Sequence, residues 1–169
     1  QVSSAAKLKR FNNEAVPGLK AYGKELKAMG LNCYGITLGD IISNGDNSDS
    51  SGYRDDMRDG FNISKTGFPI FQVMGNHDNT HYNSSKPIMP DATSSTYELR
   101  AQRAHEEMFG PVNYSFNRGD VHIVGMRDIV YDGAVGGGHV LGFSAEQVEW
   151  LRQDLALVPK DKMVVLCVH

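Results

Sequence analysis

Three largely apolar runs each stop on a side chain that can hold a cation, and this limits the folds open to the chain more than any other feature. Residues 31–38 run into Gly39-Asp40, residues 68–74 into Gly75-Asn76-His77-Asp78, and residues 163–168 into His169. Short apolar runs bounded by turn formers read as strands buried in a sheet. Between them lie stretches with helical spacing. Residues 12–29 place Val16, Leu19, Tyr22, Leu26 and Met29 three or four positions apart, the stripe of a helix. Pro17 fits the first turn of that helix and Gly30 its end.

The remaining elements follow from the same rules. A short helix is expected over residues 53–63, a longer one over 95–109 that ends at Gly110-Pro111, and a hairpin from 113–117 and 121–127 around Arg118-Gly119-Asp120. Ser144 and Gln147 have the spacing of a capping box that opens a helix over 145–157, with Val148, Trp150, Leu151 and Leu155 turned to the core. Segments 43–52, 79–93 and 128–142 are rich in polar residues, glycine or proline and read as loops. Strands alternating with helices predict one layered α/β domain, and 169 residues suffice for a real core. In such domains ligands gather beyond the C-terminal ends of the strands, where Asp40, Asn76 and His169 all fall.

These residue types suit a metal centre. The carboxylate of Asp40 has two oxygens and can bridge two cations. Asn76 offers a neutral amide oxygen, which leaves the cations electrophilic. His169 offers an imidazole nitrogen. His77 can bond to a phosphate or protonate a leaving oxygen, and Asp78 beside it is expected to orient the imidazole. Four specified residues such as Gly-Asn-His-Asp occur by chance in roughly one chain of this length in a thousand. His81 and His139 are placed near substrate, His105 on the surface of its helix, and His122 in a packing role in the hairpin. Cys33 and Cys167 are expected to be buried free thiols, since two cysteines make no disulfide framework.

Composition removes some alternatives. A net charge of −3 argues against a surface built on nucleic-acid phosphate contacts, and no apolar run approaches the length needed to cross a bilayer. The chain opens on Gln1 rather than Met and closes within an apolar run, so residues 1–169 are expected to be the central part of a single catalytic domain cut at both ends.

The motifs resemble the calcineurin-like metallophosphoesterase family, whose pattern runs Asp-x-His, Gly-Asp, Gly-Asn-His-Asp or Glu, a lone His after a strand, and Gly-His-x-His. Gly39-Asp40 matches the second block, Gly75–Asp78 the third and His169 the fourth, while the first and last blocks have no counterpart here. The resemblance implies a layered sheet sandwich flanked by helices and two divalent cations (manganese, iron, zinc or nickel) held by Asp40, Asn76 and His169. It also implies a bridging hydroxide that attacks a small phosphate mono- or diester, with His77 and Asp78 catalytic. With half of the ligands, this segment alone is expected to be inactive. A weaker likeness, through residues 11–40 and the hairpin, is to a bacterial subgroup with accessory domains on either side, which implies an exported protein. The alternatives are a non-catalytic binding domain of the same fold and, less favoured by the acidic charge, a nuclease.

Overall fold

The structure, a computed structural model, describes residues 1–43, 48–79, 94–130 and 140–169. The chain is a mixed α/β protein with small sheets. The first helical stretch opens at Ser4, whose side chain accepts the Lys7 N–H at 3.3 Å, and continues as α1 (Ala5–Arg10), a π-helical segment (Phe11–Ala15) and α2 (Val16–Ala28). It therefore begins before the predicted 12–29. Pro17 lies in the first turn of α2, as expected, but that turn continues the π segment, which ends two residues earlier. Proline cannot donate to the carbonyl four residues back and its ring crowds that turn, and a wider turn relieves both. The end is as expected: Leu31 N–H bonds to Leu26 C=O at 2.9 Å and Gly30 N–H to Lys27 C=O at 3.0 Å, a Schellman pair.

The packed face of α2 differs from the predicted stripe. Val16 and Gly23 are buried, whereas Tyr22 and Met29 are 57% and 65% exposed. The face is centred on Gly23 because the Phe68 ring lies against it, so close that a Cβ there would fall 2.5 Å from the ring.

Two strands follow, β1 (Gly35–Leu38) and, after α3 (Ser48–Gly60) and α4 (Ile63–Thr66), β2 (Ile70–Val73). They pair in parallel, with Gly35 opposite Ile70 and Leu38 opposite Val73. Both are shorter than the predicted runs. Helix α3 takes in residues 48–52, read above as loop. Asp and Ser signal loops, but they are also common where a helix begins. Met57, buried on α3, joins Val2, Ile41 and Ile42 in one core cluster, flanked by Leu8, Phe11, Tyr53, Phe61 and Phe109.

The short α5 (Asn76–Asn79) leads on, and α6 (Ser94–Phe109) precedes a three-stranded sheet. In it β3 (Asn113–Arg118) pairs antiparallel with β4 (Val121–Met126), the predicted hairpin, and β4 pairs in parallel with β7 (Met163–Cys167). Between them lie a two-stranded ribbon, β5 (Ile129–Val130) with β6 (Val140–Leu141), and α7 (Ala145–Ala156). The ribbon occupies part of the segment read as loop. Helix α7 has the predicted capping box, but Val148 is 54% exposed and it is Gln147 that is buried. His122 takes its packing role: its ring bonds to Asp154 of α7 at 2.8 Å and to Asn117 at 2.9 Å, fastening helix to hairpin.

Strand β7 corrects another expectation. Met163, Val164, Val165 and Leu166 are 39–63% exposed, so the strand is not buried. Full burial would contribute roughly 1.5–3 kcal/mol per side chain; here the ladder to β4 holds the strand instead. Cys33 and Cys167 are free and half-buried. No helix among the described residues is long and apolar enough to cross a membrane.

His105 is the reverse case, buried at 3% exposure rather than on the surface, against the Phe109 ring at 5.2 Å. Burial, reinforced by the charge of Arg54, pushes its pKa from 6.5 down to about 4. The folded value lies below the unfolded one, so as pH falls the unfolded chain takes up the proton first and stability is lost between those two values. Urea unfolding should show a loss of about 2 kcal/mol between pH 7 and pH 5 in wild type relative to His105→Gln. Equal losses in both proteins would contradict a buried neutral imidazole.

Candidate metal centre at three strand tips

The tips of β1, β2 and β7 meet, and glycine is what lets them. Gly39 (φ +89°) and Gly75 lie backbone to backbone. A Cβ on Gly39 would fall 2.7 Å from Gly75 Cα and 2.5 Å from the His169 ring; one on Gly75 would strike the Asp40 main chain and lie 2.5 Å from its carboxylate. No side chain fits at either place. Asp40 itself has φ +55°, a left-handed conformation that Asp tolerates better than most residues. Two left-handed residues in succession fold the chain sharply back after β1.

This turn brings Asp40, Asn76 and His169 together. His169 Nδ1 lies 2.6 Å from the Leu38 carbonyl, which can only accept, so Nδ1 carries the proton. Nε2 then faces two oxygens, Asn76 Oδ1 at 3.0 Å and Asp40 Oδ1 at 3.4 Å. Three electron-pair donors thus converge on one place, as the ligands of a cation do. The His169 and Asp40 side chains are 22% and 27% exposed, so solutes can reach them. A cleft of about 670 Å³ opens beside Asp40, with Arg10, Thr37 and Met57 in its walls. The donor set of one carboxylate, one amide and one imidazole fits a divalent cation of the manganese-to-zinc series. Among the described residues no group of three His, Cys, Asp or Glu side chains is placed to hold a metal; this cluster has two, and an asparagine completes it.

The two predicted catalytic residues part company. His77 stands beside the cluster, its N–H on Asp40 Oδ1 at 3.0 Å and its ring Nδ1 2.9 Å from the Ser43 carbonyl. The carbonyl fixes the tautomer and leaves Nε2 as the nitrogen with the lone pair. Asp78 does not orient that ring. Its carboxylate, 3% exposed, accepts N–H groups from Ile41 at 3.2 Å, Ile42 at 3.0 Å and Gly75 at 3.0 Å. The turn that starts α5 points it inward, where two donors from the main chain after β1 and one from that after β2 converge. Burial pushes its pKa up, the three N–H bonds oppose this, and the nearby Asp40 carboxylate adds to the rise. Asp78 is thus a clamp between two tips rather than a partner of His77.

Other contributors had no sequence signal. Ser43 and Leu38 act through backbone carbonyls, for which side-chain identity is silent. Asp128 accepts the His169 N–H at 3.2 Å; an Asp at a strand end reads as an ordinary turn former. His81 and His139 lie outside the described residues. No protein-family model matches the chain, and no curated protein matches it.

Asp78 and His77 separate in a stability measurement. Asp78→Ala leaves three buried N–H groups without an acceptor and should destabilise by roughly 2–4 kcal/mol in urea unfolding. His77→Ala loses one ring hydrogen bond and should cost about 1 kcal/mol. Similar costs for the two variants would remove the clamp assignment.

Proposed function

We propose that the chain belongs to a metal-dependent phosphoric ester hydrolase of the calcineurin-like type, acting on phosphate mono- or diesters. The observation that carries this reading is the meeting of His169 Nε2, Asn76 Oδ1 and Asp40 Oδ1 at three strand tips, with a histidine held alongside. The layered sandwich of that family belongs to the same reading, supported by the parallel pairs β1–β2 and β4–β7, whose C-terminal ends carry the cluster.

Asp40, Asn76 and His169 would hold metal. When bound, divalent cations polarise phosphoryl oxygens and lower the pKa of water towards neutrality. The chain's own groups supply the rest. The Gly39–Gly75 contact fixes the spacing of Asp40 and Asn76, so the donors need little rearrangement. The Leu38 carbonyl keeps the His169 proton on Nδ1 and so keeps Nε2 available. His77 uses Nε2 to hold the ester or to give the departing oxygen a proton, and its Nδ1–H stays on Ser43 in either charge state. A main-chain carbonyl does not titrate in the working range, so this orientation is insensitive to pH.

The test is hydrolysis of an aryl phosphate by the full-length gene product with added manganese, zinc, iron or nickel. His77→Ala should lower kcat by about 10²–10⁴ with metal affinity kept. Asn76→Ala and Asp40→Asn should lower metal affinity and activity together. If wild type matched the three variants in inactivity with every metal, the protein would be a non-catalytic binding domain of this fold.

A further inference from the structure

We infer that Asp128 is a positioning residue for His169 and that it ties the β5–β6 ribbon to the metal centre; this rests on the reading of His169 as a ligand. The tip of β7 is not held by burial, because the strand before it is half in water. Two hydrogen bonds fix His169 instead: the Leu38 carbonyl takes its ring Nδ1–H at 2.6 Å, and the Asp128 carboxylate takes its backbone N–H at 3.2 Å. One sets the rotation of the ring and the other sets the main chain that carries it. Loss of either lets Nε2 drift from Asn76 and Asp40.

Asp128 suits this task because the main chain at and just before it is fixed from several sides. Arg127 N–H bonds to the Val112 carbonyl at 3.1 Å, and the buried Gln147 amide donates to the Arg127 carbonyl at 2.6 Å. The Asp128 carbonyl accepts the Gly142 N–H at 2.7 Å, directly beside the Ile129–Leu141 pair of the ribbon. The same residue thus faces the ribbon with its carbonyl and the ligand with its carboxylate. A change in the ribbon that moves Gly142 is passed to His169 through one residue.

Asn can replace Asp in this role, since its amide oxygen still accepts the N–H; Ala cannot. The experiment compares Asp128→Ala and Asp128→Asn in the full-length gene product with two readouts. The first, without metal, is the ¹⁵N spectrum of the His169 imidazole, assigned by comparison with His169→Gln. Wild type and Asp128→Asn should show a fixed Nδ1–H tautomer, and Asp128→Ala an averaged one. The second is manganese affinity, expected to fall about tenfold in Asp128→Ala, as for other groups that orient a ligand, and to stay within about twofold in Asp128→Asn. An unchanged tautomer in Asp128→Ala overturns the inference, as does an Asn variant that behaves like Ala. If wild type bound no manganese, the metal reading would fail, and the tautomer comparison would still decide the role of Asp128.

Discussion

The contact of Gly39 with Gly75, locked by the buried carboxylate of Asp78, is what the candidate site depends on. Two parallel strands bring their ends near each other, but side chains would normally hold the following turns apart. Here both turns lack a Cβ at the crossing point, and main chain meets main chain. Asp78 takes N–H groups from both sides of the crossing, Ile41 and Ile42 after β1 and Gly75 after β2. Burying a carboxylate is costly, and the upward push on its pKa expresses that cost. Three N–H donors offset it. The distance between Asp40 and Asn76 is therefore set by backbone packing and one carboxylate, and it does not depend on the side chains that would bind a metal.

Much of this was legible in the sequence, and the parts that were not share a cause. Apolar runs ending in a polar residue, after a glycine in two of the three, located β1, β2 and β7, and the tendency of ligands to gather at strand ends pointed to their tips. The capping box of α7 and the hairpin were local patterns with local partners. Failures came where a distant partner decides. The buried face of α2 turned towards Gly23 because Phe68, far along the chain, packs there; Tyr22 and Met29 were left in water. Val148 has the right spacing for a core residue, yet the buried position is Gln147, whose amide meets Asn113 and Arg127. His105 looked like a surface residue of a polar helix and is sealed against Phe109. Adjacency in sequence was equally misleading for Asp78: in a turn, neighbouring side chains point apart, so the carboxylate next to His77 serves another group.

The third member of the cluster brings a further requirement. Asp40 and Asn76 belong to the β1–β2 pair, whereas His169 extends β7 of the other sheet, so the cluster forms only if the two sheets hold a fixed relation. Aromatic rings join them. Phe71 of β2 stacks on Phe116 of β3 with centroids 4.4 Å apart and reaches Tyr114 at 6.0 Å. Tyr34, just before β1, meets Phe116 edge-on at 5.6 Å and carries the Arg118 guanidinium over its face at 5.5 Å. Tyr114 lies across Gly125, its antiparallel partner, and covers the gap left by that glycine. Its buried hydroxyl has no hydrogen-bond partner among the described residues, and burial raises its pKa. Aromatic pairs contribute roughly 0.5–1.5 kcal/mol each beyond their buried area. A strand half exposed to water can thus deliver an imidazole to the tips of another sheet: the junction of rings fixes the sheets, the ladder to β4 fixes β7, and two hydrogen bonds fix the final residue.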